Sequence, residues 1–126
     1  MKPLLALAMI ASSLIGSGAV GSARAAQPIS LHARTSGDLA ELCGANPKEP
    51  AADAKLNYCD GFAQAVVDLE LRHAGDKKPF CFPSPTPPRR VTLNEFAAWV
   101  RSLPEHRTLS APDGLLQFLG VRFPCK

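Results

Sequence analysis

The sequence predicts an all-α fold, a small bundle of about four helices with two disulfides. Three observations predict it. Apolar residues recur at helical spacing in four stretches, each bounded by a capping residue, a glycine or a proline. No run shows a convincing period-two alternation of the kind a strand requires. Four cysteines, Cys43, Cys59, Cys81 and Cys125, lie behind an export signal, and an even count in a small exported domain reads as two disulfides.

The export signal opens the chain. Met1-Lys2 is a short basic segment, Leu4 to Ile15 is apolar and uncharged, and Ala23-Arg24-Ala25 is an A-x-A site. The apolar core of about 12 residues falls well short of the roughly 20 that span a bilayer. Cleavage is therefore expected between Ala25 and Ala26, leaving a single domain over residues 26–126. No later segment is long and apolar enough to span. The compartment is an oxidising one, the periplasm for a bacterial chain.

Residues 26–34 read as a polar, irregular arm. Thr35-Ser36-Gly37-Asp38 is a capping signal, because the Thr35 hydroxyl can accept an N–H three residues on. A short helix then runs through Leu39, Leu42 and Cys43 and ends at Gly44. The second helix is expected from about Ala52 to His73. Tyr58, Phe62, Ala65/Val66 and Leu69 form its apolar stripe, Leu56, Cys59 and Ala63 widen it, and Gly75 stops it. Asp76-Lys77-Lys78-Pro79 is a solvated turn. Pro83 to Arg90, with four prolines, is a stiff linker that excludes an internal helix.

Thr92 and Glu95 spell a capping box for the third helix, with Val91 and Phe96 spaced as a hydrophobic staple. Its apolar face is Phe96, Trp99, Val100 and Leu103, and Pro104 ends it. Glu105-His106-Arg107 connects to a fourth helix capped by Ser110, with Pro112 in its first turn and Asp113 at N3. Leu115, Leu116, Phe118 and Leu119 supply its core, Gly120 interrupts it, and Phe123-Pro124-Cys125 terminates it.

Composition and spacing narrow the function. Without Lys2 and Arg24, 12 of the 14 basic groups remain against 11 acidic ones, so the mature chain is near charge balance. It carries no polybasic face for nucleic acid or, once the signal is removed, for a membrane. The cysteines are 16, 22 and 44 residues apart, which excludes the closely paired thiolates of a zinc site. No metal or cofactor is expected. A papain-like hydrolase needs a free thiolate beside a histidine. His32, His73 and His106 are present, but every cysteine has a disulfide partner available, so no catalytic residue is assigned.

Short connections place successive helices side by side, which favours Cys43–Cys59 and Cys81–Cys125. The nested alternative, Cys43–Cys125 with Cys59–Cys81, stays open. In the chain-entropy model the favoured loops contribute about 3 and 4 kcal/mol.

Four features recur in a known order: Leu42-Cys43, Tyr58-Cys59-Asp60-Gly61-Phe62, Phe80-Cys81-Phe82-Pro83 before a helix, and Phe123-Pro124-Cys125 at the end. A Leu103-Pro104-Glu105 break lies between the last two. In this the chain resembles the Tai/Rap family of periplasmic immunity proteins, from about Thr35 to Lys126. The resemblance implies a small helical homodimer that is not an enzyme. Such a protein binds a papain-like peptidoglycan amidase effector of the type VI secretion system and occludes its active-site groove. The competing expectation is a small periplasmic chaperone-like or stress-response protein with no dedicated toxin.

The family's contact residues lie outside these motifs. The candidates for effector binding are the chemically rich connections: Arg89 and Arg90 after the prolines, and Glu105, His106 and Arg107 between the last two helices. Tyr58, Phe62, Phe96, Trp99 and Phe118 are assigned to the core, with Trp99 the alternative candidate for a dimer seam.

Overall fold

Thr35 starts the first helix as its sequence demands. The computed structural model describes Gly21 and residues 28–126. The export signal expected over residues 1–25 and its cleavage point lie, Gly21 apart, outside the described residues. Thr35 is extended (φ −108°, ψ 160°), and its hydroxyl accepts the Asp38 amide at 3.1 Å. The Asp38 carboxylate in turn accepts the Thr35 amide at 3.0 Å and the Arg34 amide at 3.1 Å. This reciprocal box opens α1, Ser36–Cys43. Leu39, Ala40 and Cys43 of α1 are fully buried, so this short helix is the central element of the fold. It packs against α2, α3 and α5.

The second helix, α2, runs over Ala52–Ala74. Its core-facing line is Cys59, Ala63, Val67 and Leu71, one residue every four, flanked by Tyr58, Phe62 and Val66. The expected stripe holds through Val66 and then fails: Ala65 is exposed and Leu69 is 57% exposed. A 3.6-residue period drifts against a spacing of four or three, and the line that faces the core drifts with it toward Leu71.

The prolines of 83–88 are largely exposed, but the segment that leads into them is anchored. Phe80 is buried in the core, and Phe82 sits edge-on to it at 5.3 Å between ring centroids. The third helix, α3, spans Arg89–Ser102. It starts a turn before the expected cap, because the Pro88 carbonyl accepts the Val91 and Thr92 amides at 3.0 and 3.3 Å. Thr92 is therefore a buried residue inside the helix, not its cap. Glu95 makes no box and pairs instead with Arg122 at 2.8 Å. Val91 is 48% exposed while Phe96 is buried, so no staple forms.

Leu103 is extended (φ −138°, ψ 138°), and a single turn, α4, follows at Pro104–Arg107 where a plain connection was expected. Ser110 then caps α5, Ala111–Arg122, by accepting the Asp113 amide at 3.2 Å. Gly120 does not break α5. A Cβ there would lie 3.3 Å from the Pro79 carbonyl oxygen, so glycine admits the close pass of the linker. Among the described residues there is no strand, only an isolated antiparallel bridge between Thr35 and Ser110.

Both disulfides are those favoured above. Cys43–Cys59 joins the end of α1 to α2, with both cysteines fully buried. Cys81–Cys125 joins the linker to the C-terminal tail, and both of its cysteines are exposed. The Cys81 amide also donates to the Phe123 carbonyl at 2.8 Å. The tail is thus fastened beside the approach to α3, which keeps α5 against the linker. No helix among the described residues is long and apolar enough to cross a membrane.

Candidate functional site

The five candidate residues form two groups, not one patch. Arg89 and Arg90 open α3, while Glu105, His106 and Arg107 follow its far end. The 14 residues of α3 separate the groups by about 20 Å at 1.5 Å per residue.

In the first group, Arg90 is turned inward. Its guanidinium pairs with Asp60 of α2 at 2.7 Å and reaches the Leu56 carbonyl at 3.4 Å. The other terminal nitrogen, Nη1, and the other carboxylate oxygen, Oδ1, are buried without a partner. Arg90 is therefore a clamp between α3 and α2, and Asp60 belongs to the Tyr58–Phe62 motif. Arg89 is exposed and donates to the Gln64 side-chain carbonyl. The Gln64 amide donates onward to Asp68 at 2.7 Å. Neither Arg89 nor Asp68 has an ion-pair partner among the described residues.

That polar chain borders an open groove of about 450 Å³ between α2, the linker, α3 and α5. Its walls are chiefly Val67, Leu71, Phe82, Leu93, Leu115 and Leu119. The groove exists because α2 outruns its neighbours: past Ala63 none of its residues is fully buried. No motif or cap in the sequence marks it. The available signal was Val67 and Leu71 continuing the four-residue line from Cys59 while Phe82 stood apolar in a linker.

In the second group, His106 is structural. Its ring stacks on Trp99 with centroids 3.7 Å apart and planes at 14°. Nδ1 lies 2.8 Å from the Trp99 carbonyl, which can only accept, so Nδ1 carries the proton of that bond. The buried Ser36 hydroxyl donates to the His106 carbonyl, tying α4 to α1. Arg107 lies 3.6 Å from Glu41 with both side chains largely in water, a contact worth little. Glu105 is exposed, and no ion pair among the described residues uses it. The α4 turn thus presents Glu105 and Arg107 outward on a base fixed by His106.

Two carboxylates elsewhere are tuned by their surroundings. The Thr35 and Arg34 amides hold the Asp38 carboxyl below its usual range. The bond from Lys55 does the same for Glu49, with help from the Asn46 amide. Both perturbations belong to helix starts and not to a reacting centre. All four cysteines are oxidised, so the chain holds no thiolate nucleophile. No cluster of metal-binding side chains occurs among the described residues.

The frame described above, from the Thr35 cap to the Cys125 crosslink, coincides with a known family: the model of the Rap1a immunity proteins matches residues 35–125. The chain belongs to the Rap1a immunity protein family. No individual curated protein and no solved structure matches it. Family membership makes this chain an immunity protein, whose role is to bind an effector. For a Rap1a member the relevant chemistry is that of an interface. The matched span contains both disulfides, the α1 cap and both groups of candidate residues.

Proposed function

We propose that this chain is a periplasmic immunity protein. It binds a papain-like peptidoglycan amidase delivered by a type VI secretion system and covers the active-site groove of that enzyme. The match to Rap1a immunity proteins over residues 35–125 is the observation that carries the reading. The export signal and the two disulfides support the periplasm as the place of action. The protein works as a homodimer, as the family resemblance implies.

Inhibition of this kind needs a rigid surface of roughly 800 Å² per partner with a few strong anchors. Crosslinked helices suit that task, because little conformational freedom remains to be lost on binding. Glu105 and Arg107 on the α4 turn, with Arg89 at the start of α3, are the candidate contacts. Arg90 and His106 serve by holding those elements in place.

The experiment is co-expression in the periplasm with each candidate amidase effector, beginning with any encoded beside the gene. The expected result is rescued growth and co-purification of the pair. Charge reversal at Glu105 and Arg107 together is expected to weaken the complex at least tenfold without changing the melting temperature. Absence of both rescue and a complex would overturn the reading.

A further inference from the structure

The N-terminal arm and the α2 groove are each incomplete in one molecule. In the arm, every second residue is apolar: Ile29, Leu31 and Ala33 alternate with Ser30, His32 and Arg34. The run is too short to declare a strand, but in an extended chain alternate side chains share one face. Ala33 packs on the core, whereas Ile29 and Leu31 are 47% and 38% exposed. The outer end of the arm is therefore an apolar strip that is only partly covered.

The arm does not cover the groove of its own molecule. It is fixed where the Arg34 carbonyl accepts the Ala111 amide at 2.9 Å. From there it runs beside α1 and the start of α2, where Ser30 and His32 share a shallow depression with Glu41 and Lys55. Lys55 and Asp68 are 13 residues apart on α2, about 20 Å along the helix. The groove beyond is apolar, with Phe82 38% exposed in its wall. Its rim carries an acceptor, Asp68, and a donor, Arg89, neither engaged in an ion pair among the described residues. A rim with both kinds of group suits the carbonyls and amides of an extended peptide, and Asp68 complements the basic end of the arm at His32 and Arg34.

We propose that the groove is the seat of residues 28–31 from a second copy of the chain. Ile29 and Leu31 of each copy lie against Val67, Leu71 and Phe82 of the other in a reciprocal, two-fold dimer. The proposal builds on the homodimer of the preceding reading and assigns its surface. It does not depend on which effector is bound.

The test is sedimentation of the purified, disulfide-bonded protein over a range of concentrations, for the wild type and two variants. Leu31→Asp alters an exposed arm residue, and Leu71→Asp a groove wall that is partly buried beside the core. Circular dichroism checks that both fold. Each substitution is expected to weaken the dimer at least about tenfold, as burying a charge in place of leucine would. Mixing the two variants is expected to recover tighter association than either alone, because one intact arm then meets one intact groove.

A wild type that stays monomeric overturns the proposal, as does a dimer that Leu31→Asp leaves unchanged. If Leu71→Asp instead weakens only effector binding, the occupant is the effector and the proposal is wrong. Effector binding by a monomer contradicts arm exchange alone. A dimer of this kind that captures no amidase contradicts the immunity reading alone.

Discussion

The His106 ring lies flat on Trp99, 3.7 Å between centroids, while its Nδ1 donates to the carbonyl of that same residue. A histidine chosen for its exposed loop chemistry is thus the fastener of α4. His106→Ala removes the stack and the hydrogen bond together. Such pairs are each worth about 1 kcal/mol. A loss of about 1–2 kcal/mol is expected in urea unfolding, along with altered Trp99 fluorescence. An unchanged midpoint would show that the ring carries no structural weight.

Gly114 makes the crossing of α1 and α5 possible. A Cβ there would lie 2.5 Å from the Ser36 Cβ, and Ser36 is fully buried and bonded to the His106 carbonyl. Gly114→Ala is expected to cost about 1–3 kcal/mol, as overpacking commonly does. Gly61→Ala is the control. Gly61 also lies within a helix, but its Cβ would meet open space, so a gain of about 0.5–1 kcal/mol is expected. Thermal melts of the two variants should move in opposite directions.

The two disulfides should differ in access. Cys43 and Cys59 are fully buried, whereas Cys81 and Cys125 are exposed. Thiol–disulfide exchange requires the attacking thiolate to reach a sulfur. A mild reductant followed by alkylation is expected to label Cys81 and Cys125 in the folded protein. Cys43 and Cys59 should stay protected until unfolding. Equal labelling of all four would refute the difference.

Asp38 gives the α1 cap a pH dependence of known sign. Amides of Thr35 and Arg34 hold its carboxyl below the usual carboxylate range in the folded state. Its contribution to stability is therefore complete above the unfolded value and is lost as pH falls through the lower folded value. Comparing urea midpoints between about pH 5 and pH 2 should show a steeper decline for wild type than for Asp38→Asn. Parallel declines would mean that the box does not contribute.

Local signals were legible and long-range ones were not. Thr35 and Ser110 cap the helices they were expected to cap, and Gly75 follows the end of α2, because each such signal acts within three or four residues. The Pro88 carbonyl starts α3 a turn before Thr92, and Arg90 in that turn pairs with Asp60, 30 residues away, which no local pattern records. No local pattern assigned Phe80 to the core, because its burial is set by elements far from it in sequence. For the same reason the five candidate residues looked like one class of exposed connection. Tertiary contacts divided them, leaving Arg89, Glu105 and Arg107 outward and Arg90 and His106 as supports. The groove depends on α2 being longer than the helices it packs on, and no local pattern records that.

The central proposal is that this Rap1a family member neutralises an amidase by binding it. Titrating the disulfide-bonded protein into its candidate cognate amidase, while following cleavage of peptidoglycan stem peptides, tests it most directly. The account predicts a stoichiometric loss of cleavage with formation of a stable complex. An amidase that binds nothing and keeps its full activity at saturating protein would contradict it.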